Sequence, residues 1–225
     1  MKIISICGID TGVGKSVVTG LLGRFLLDQG ASVLTQKLVQ TGCAGRSEDI
    51  VVHRRLMAMP WQDADEEGLT CPYCFPFPAS PHLAAELEGE EIDPVRLTGT
   101  SRELAGRVDW LLVEGVGGLL VPLNRDLLLL DYLARQQYPL ILVSTPRLGS
   151  INHTLLSLEA IRQRSARLLG LVYNLHGDFP PEIVRDSMGI FRAALRNYGF
   201  SAKLLVLPDS RESMATNWQQ LLEAV

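Results

Sequence analysis

The chain has 225 residues, of which 47% are hydrophobic, and its formal net charge is −4 at pH 7. This length predicts a single α/β domain over residues 1–225 with one sizeable core. The negative charge argues against a surface for nucleic acid or an anionic membrane, and no uncharged apolar run is long enough to span a bilayer. We therefore expect a soluble, cytoplasmic protein with a local pocket for small anions.

A glycine-rich segment near the N-terminus has the residue types that hold a nucleotide triphosphate. It is Gly8-Ile9-Asp10-Thr11-Gly12-Val13-Gly14-Lys15-Ser16, between an apolar strand at residues 3–7 and a helix. In a phosphate-binding loop, backbone N–H groups and the helix N-terminus face the phosphates. Lys15 would reach the terminal phosphates and Ser16 would offer a hydroxyl to Mg²⁺. Gly8 lies one position early for the strict pattern, so we interpret the segment as a variant P-loop; a tight turn without phosphate is the alternative.

Helical and strand-like patterns alternate after this loop. Apolar residues from Val18 to Leu26 recur at helical spacing, which predicts a helix ending near Gly30. Further helices are predicted at residues 155–164 and from Pro180 to Tyr198. Strands are predicted at residues 32–36, 110–113, 140–144, 168–173 and 203–207. This alternation indicates a mainly parallel sheet covered by helices on both faces, with residues 59–81 forming a long segment at the carboxyl edge of the strands.

Polar residues directly follow several of the predicted strands. Lys37 follows the second strand, Glu114 the third and Asn174 the fifth. Ligands of parallel sheets bind at the carboxyl ends of the strands, so we expect these residues beside the P-loop. Glu114 is placed to hold Mg²⁺ and Asn174 to contact an adenine edge, although each could instead cap a helix or turn.

Two further segments leave alternatives open. Asp49 could supply a second carboxylate to a metal, but Glu48 could do the same, and either Ser47 or Asp49 could be a helix N-cap. Residues 149–153 open a helix after a strand, which makes a second potential anion site.

The four cysteines are predicted to be reduced thiols. Cys71 and Cys74 form a C-x-x-C pair, but no second pair completes a zinc site. A thiol or zinc module is therefore only a distant alternative, and the four histidines form no spaced cluster.

Taken in order, these motifs resemble those of the dethiobiotin synthetase family. The matching segments are Gly8-Ile9-Asp10-Thr11 with Gly14-Lys15-Ser16, Lys37 with Thr41-Gly42, Asp49, Pro72-Tyr73, Ser80-Pro81-His82, Val113-Glu114-Gly115 with Gly117-Gly118, Leu148-Gly149 with Ile151-Asn152-His153, and Asn174. The resemblance implies a homodimeric P-loop NTPase-like fold of three layers. It also implies that ATP, Mg²⁺, CO₂ or bicarbonate, and 7,8-diaminononanoate give dethiobiotin, ADP and phosphate through a carbamate and a carbamic-phosphoric anhydride.

The resemblance also assigns roles to individual residues. Lys15, Lys37 and Thr11 would be catalytic, and Ser16, Asp49 and Glu114 would arrange Mg²⁺. The nucleotide would contact Asp10, Thr11, Gly12, Val13, Gly14, Lys15, Ser16, Val17 and Asn174. The diamine and its carbamate would contact Thr11, Lys37, Thr41, Pro81, Gly117 and Gly118, with its carboxylate on Gly149, Ser150, Ile151 and Asn152 of the partner subunit.

The sequence departs from the family pattern at Leu38, where proline is usual, so the backbone that aims Lys37 is expected to be less fixed. Gly12 replaces a loop residue that is often acidic. One rival from the same fold group is a P-loop ATPase of the partner-switching or positioning type; such proteins usually carry a second lysine near the start of the loop, where this chain has Ile9 and Asp10. A related amide-forming ligase is the other enzyme alternative.

Overall fold

The computed structural model describes residues 2–201 and 203–223. The strands, in chain order, are β1 (Lys2–Gly8), β2 (Val33–Lys37), β3 (Gln40–Thr41), β4 (Cys74–Phe75), β5 (Trp110–Gly118), β6 (Pro122–Asn124), β7 (Leu127–Leu128), β8 (Leu140–Ser144), β9 (Leu168–Asn174) and β10 (Leu204–Leu207). Six of them form one sheet in the order β10-β9-β8-β1-β5-β2, and every neighbouring pair is parallel. The predicted parallel sheet is confirmed.

The helices connect these strands. In chain order they are α1 (Lys15–Asp28), α2 (Glu48–Met57), α3 (Asp63–Glu66), α4 (Pro81–Leu87), α5 (Pro94–Gly106), α6 (Leu129–Arg135), α7 (Ser150–Gln163), α8 (Pro181–Asn197) and α9 (Gln219–Leu222), with a 3₁₀ turn at Ser210–Ala215. Helix α1 packs on β2 and β5, and α7 packs on α8. No helix of the described residues is both long and apolar enough to cross a bilayer.

The central strands are buried on both faces. All five residues of β8 are buried, although successive side chains in a strand point to opposite sides. A sheet with such strands must be covered by helices on each face, which is the usual arrangement of an all-parallel sheet. The predicted three-layer architecture is therefore confirmed.

Two of the differences between predicted and observed strand ends matter for the site. Strand β2 ends at Lys37 rather than at Gln36, so the lysine is the last strand residue. Strand β5 continues to Gly118, whereas the sequence predicted its end at Val113, so Glu114 lies within the strand and is fully buried. An acidic side chain can stay there because Lys37 and His53 both bond to it.

The predicted long segment at residues 59–81 has its own structure. It contains α3 and β4, and β4 pairs in parallel with β3 just beyond the end of β2. Within it, the Thr70 carbonyl accepts a 2.7 Å hydrogen bond from the backbone N–H of Lys37. The segment therefore returns to the carboxyl end of β2.

Candidate active site

The P-loop between β1 and α1 needs glycine for two reasons, a left-handed backbone and a close approach of neighbouring atoms. Gly12 and Gly14 have φ of 73° and 93°, in the left-handed region that favours glycine. At Gly8, a Cβ would lie 2.7 Å from the Val13 side chain and 2.9 Å from the Asp10 carbonyl oxygen. The early glycine of the variant motif thus allows the loop to fold closely over the end of β1.

Lys15, the first residue of α1, is held by backbone carbonyls. Its Nζ donates to the carbonyl oxygens of Asp10 and Gly117, each at 2.9 Å. Burial, assisted by the nearby charge of Lys37, lowers the pKa of Lys15 to about 8. Its ammonium group lies at the cavity and makes no direct ion pair with a carboxylate of the described residues.

Ser16 lies between two carboxylates. Its hydroxyl is 2.8 Å from Asp49 Oδ1 and 3.0 Å from Glu114 Oε1. Ser47 caps α2 by accepting a hydrogen bond from the Ile50 N–H, which settles the open N-cap question and leaves Asp49 free to face Ser16. A hydroxyl and two carboxylates are hard oxygen donors, and this set suits Mg²⁺, which keeps few protein ligands and takes others from substrate phosphates.

Lys37 bridges the same carboxylates. Its Nζ is 2.6 Å from Asp49 Oδ2 and 2.8 Å from Glu114 Oε1, and it also donates to the Gly115 carbonyl. Burial acts to lower the pKa of Lys37, but Glu114 and Asp49 outweigh it and raise the pKa above its usual value. Burial acts in turn to raise the pKa of Glu114, but Lys37 and His53 hold it well below the usual range. Both groups are therefore ionised.

The backbone at Leu38, which was expected to be less fixed than with proline, is held by a hydrogen bond. The Leu38 N–H donates to the Glu114 carbonyl oxygen at 3.1 Å, and the side chain is fully buried. Proline has no N–H and could not make this bond. The hydrogen bond to β5 thus fixes the backbone after Lys37 in place of a proline ring.

These groups open onto one cavity of about 440 Å³. The predicted site residues that line it are Thr11, Gly12, Gly14, Lys15, Ser16, Val17, Lys37, Thr41, Asp49, Glu114 and Gly117. Other lining residues were not predicted, among them Gln40, Val52 and Arg55. Helical spacing could have found two of these, since Val52 follows Asp49 at i+3 on α2 and Arg55 follows Val52 at i+3.

Asn174 lies behind the P-loop and Val13 within it, and neither lines the cavity. The Asn174 amide donates to the Val13 carbonyl oxygen at 3.0 Å and accepts from the His176 N–H at 3.2 Å. A Cβ at Gly14 would collide with this amide. Asn174 is therefore buried at the P-loop and keeps one amide hydrogen beyond these two bonds.

The remaining predicted residues lie outside the cavity within one chain. Asp10 and Gly118 line a neighbouring groove of about 380 Å³, and Asp10 accepts a hydrogen bond from Arg147. Residues 149–152 form the start of α7 beyond that groove, with Gly149 in the left-handed region. Pro81 is the buried first residue of α4.

The cysteines take no part in a recognisable metal centre. No group of three or more His, Cys, Asp or Glu side chains in residues 2–201 and 203–223 could hold a metal ion. Cys71 and Cys74 hydrogen-bond instead to the carbonyl oxygens of Tyr73 and Cys43.

Known proteins are similar to this chain over most of its length. A family model described as an AAA domain matches residues 2–197. The ATP-dependent dethiobiotin synthetase BioD of Chlorobaculum tepidum is 51% identical over 88% of this chain and 83% of its own length. The chain belongs to the dethiobiotin synthetase family. BioD 2 of Haemophilus influenzae is 45% identical over 84% of this chain and 99% of its own length. As a dethiobiotin synthetase family member, the chain is an ATP-dependent ligase.

Solved structures with the same fold come from another functional group. The septum site-determining protein MinD of Pyrococcus horikoshii has a TM-score of 0.53 at 19% identity, covering 100% of this chain and 86% of its own. A plasmid partition protein of Borrelia burgdorferi has a TM-score of 0.56 at 14% identity, covering 99% and 96%. At these identities the likeness shows the P-loop fold alone.

Proposed function

We propose that this dethiobiotin synthetase closes the ureido ring of dethiobiotin from 7,8-diaminononanoate, CO₂ and ATP. The proposal rests on one observation. Two lysines with different surroundings line the same cavity. Lys15 belongs to the P-loop, and Lys37 lies against Glu114 and Asp49 across the same space. Such a cavity suits a reaction in which two anionic groups, a carbamate and a triphosphate, must be brought together.

The proposed reaction has three chemical steps. One amine of the substrate adds to CO₂ and loses a proton, which gives a carbamate. A carbamate oxygen then attacks the γ-phosphorus of ATP and releases ADP. The second amine attacks the carbamate carbon, phosphate leaves, and the five-membered urea closes. Each step moves negative charge, so positioned cations and N–H donors can supply most of the rate enhancement.

The chain's own groups match these requirements. The N–H groups of the loop at residues 10–17 and the ammonium of Lys15 would hold the phosphates already present in ATP. Lys37 would balance the charge that moves between carbamate and phosphate, and the hydroxyls of Thr11 and Thr41 would hydrogen-bond the substrate. The remaining amide hydrogen of Asn174 would donate to the adenine ring, while Gly117 and Gly118 would let the substrate approach the backbone.

Mg²⁺ is part of the proposal because the donor set fits it. Ser16, Asp49 and Glu114 would hold the ion, and none of them requires a ligand type that Mg²⁺ disfavours. When bound, Mg²⁺ would neutralise phosphate charge on the nucleotide.

A homodimer would complete the site. The start of α7 lies outside the cavity of its own chain, so residues 149–152 would reach a substrate only across an interface. Leucines with large exposed surfaces lie at this end of the molecule, including Leu148 and, on α7, Leu156. Pro81, at the start of α4, would support the substrate side of the cavity from beneath.

The decisive assay follows ADP and dethiobiotin together. Purified enzyme is given ATP, Mg²⁺ and bicarbonate, with and without 7,8-diaminononanoate, and products are measured by mass spectrometry. We expect ADP and dethiobiotin in equal amounts, and only with the diamine. ATP hydrolysis at the same rate without the diamine would contradict the proposal and favour the partner-switching class.

The dimer is tested by one charged substitution. Leu156→Glu should produce monomers in light scattering and weaken diamine binding while nucleotide affinity is retained. Leu87→Glu is the matched control, because Leu87 is similarly exposed on a different helix. A fully active monomer at assay concentration would contradict the shared site.

A further inference from the structure

A ring of buried hydrogen bonds begins and ends on Lys37. In its first half, Lys37 Nζ donates to Glu114 Oε1 at 2.8 Å, and the other carboxylate oxygen, Oε2, lies 2.6 Å from His53 Nε2. His53 is one turn after Asp49 on α2, and its Nδ1 lies 3.0 Å from Thr35 Oγ1. Glu114, His53 and Thr35 are all fully buried.

The second half of the ring returns to the backbone of the same lysine. Arg54 donates from Nη1 to Thr35 Oγ1 at 3.0 Å, and from Nε and Nη2 to the two oxygens of Asp65 at 2.8 and 2.7 Å. The Thr70 hydroxyl donates to Asp65, and the Thr70 carbonyl accepts from the Lys37 N–H, each at 2.7 Å. Both the main chain and the side chain of Lys37 are therefore tied to one network.

The direction of these bonds orients the imidazole of His53. Arg54 can only donate, so the Thr35 oxygen accepts from Arg54. The ionised Glu114 can only accept, so Nε2 of His53 carries a proton and donates it to Glu114. The imidazole cannot turn without breaking two buried hydrogen bonds, which is a costly change in a region closed to water.

We propose that His53 is a positioning residue for the active site. By holding Oε2 of Glu114, it turns Oε1 toward Ser16 and Lys37. Each of the two carboxylate oxygens then has its own fixed partners. The inference rests on the proposed function, in which Glu114 and Ser16 hold Mg²⁺ beside Lys37. Buried groups that orient metal ligands in this way commonly change metal affinity or activity by about 10–100-fold when replaced.

Two substitutions separate the roles of the two imidazole nitrogens. In His53→Gln the amide nitrogen stands as many bonds from Cα as Nε2 does, so a donor to Glu114 is kept. In His53→Asn the amide reaches only the position of Nδ1, so the bond to Glu114 is lost. Mn²⁺ binding in the presence of ADP, followed by electron paramagnetic resonance, reports on the site without turnover.

We expect His53→Asn to weaken Mn²⁺ binding and to lower kcat by about 10–100-fold, with the KM for the diamine changed less than about threefold. His53→Gln should restore both quantities to within about threefold of wild type. Ile50→Val is the control for packing, because Ile50 is fully buried on the same helix. Melting temperatures are measured for every variant.

Three results would overturn the role of His53. These are wild-type Mn²⁺ affinity and kcat in His53→Asn, equal losses in the Asn and Gln variants, or the same loss in Ile50→Val. If His53→Asn does not fold, Thr35→Val removes the hydroxyl behind the imidazole, and unchanged Mn²⁺ binding in that variant overturns the role as well. If wild type makes no dethiobiotin but His53→Asn alone loses Mn²⁺, the proposed function fails and the role of His53 stands.

Discussion

Lys15 and Lys37 line the same cavity in contrasting surroundings. Lys15 is held by two carbonyl oxygens, and burial together with the charge of Lys37 lowers its pKa to about 8. Lys37 touches two carboxylates, which outweigh its burial and raise its pKa. Lys15 makes no ion pair with a carboxylate of the described residues, whereas Lys37 makes two, so an arriving phosphate is expected to gain more from Lys15. From this difference we expect nucleotide affinity to depend mainly on Lys15 and the chemical rate mainly on Lys37.

Lys37→Ala tests whether Lys37 acts on turnover rather than on ATP binding. We expect turnover with 7,8-diaminononanoate to fall by on the order of 10²–10³, because one preorganised charge donor at the reacting groups is lost. ATP affinity at saturating Mg²⁺ should stay within about threefold of wild type. Steady-state rates and calorimetric ATP binding are measured on folded protein; near-normal turnover would show that Lys37 has no such role.

Lys15→Ala should produce the complementary pattern. Hydrogen bonds between charged groups are worth about 1.5–3 kcal/mol, so ATP should bind about 10–100-fold more weakly. Lys203→Ala removes a lysine that pairs with Glu223 outside the cavity and serves as the control. Equal ATP affinity in Lys15→Ala and Lys203→Ala would remove the distinction between the two active-site lysines.

Asp65→Asn tests the hydrogen-bond network of Arg54, Asp65 and Thr70 that reaches the backbone of Lys37. The lowered pKa of Asp65 makes its effect on stability depend on pH. Burial acts to raise the pKa of Asp65, but hydrogen bonds from Arg54 and Thr70 outweigh it and hold the pKa below its usual 3.8. Below pH 3.8 the unfolded carboxyl binds more protons than the folded one, so the stability that Asp65 contributes is present above this pH and is lost as pH falls through the lowered pKa.

We therefore expect Asp65→Asn to lower the free energy of unfolding by about 1–3 kcal/mol near neutral pH. Below pH 4 the difference from wild type should shrink. Urea unfolding at several pH values measures both effects. A difference that stays constant down to pH 2 would mean that Asp65 is not paired as the structure indicates.

Arg147→Ala should have the smallest effect of the set. Arg147 forms an ion pair with Asp10, the residue whose carbonyl oxygen accepts from Lys15, but both paired side chains are well exposed. Exposed pairs contribute about 0–1 kcal/mol, so unfolding free energy should change by less than about 1 kcal/mol and ATP affinity by less than about fivefold. A much larger loss of ATP affinity would give Arg147 a direct part in nucleotide binding.

Local sequence pattern accounts for the six strands of the main sheet and for helices α1, α7 and α8, whereas α3 to α6 were not predicted. Apolar periodicity located α1 and α8, and continuous apolar runs located β8 and β9 to within a residue, because buried parallel strands need apolar side chains on both faces. The end of β5 was missed, since an acidic residue such as Glu114 signals a strand end unless its distant partners are known. The very short strands β3, β6 and β7 carry too few residues for a pattern.

The site was only partly accessible to sequence reasoning. The P-loop is a local motif, and Lys37 was found because it closes a strand. His53 belongs to no spaced cluster in the sequence, and its contact with Glu114 joins residues 61 positions apart. Arg54 and Asp65 likewise have no local signal for the pair that they form. Such contacts arise only when the sheet and α2 bring distant segments together.

Phosphorylation of a carbamate by ATP before the ring closes can be detected by following the carbamate oxygen. A single turnover is run with ¹⁸O-labelled CO₂ and 7,8-diaminononanoate in unlabelled water, and the inorganic phosphate is analysed by mass spectrometry. If a carbamate oxygen attacks the γ-phosphorus, that oxygen leaves with phosphate, and the phosphate should carry one ¹⁸O. Unlabelled phosphate formed together with dethiobiotin would contradict the account.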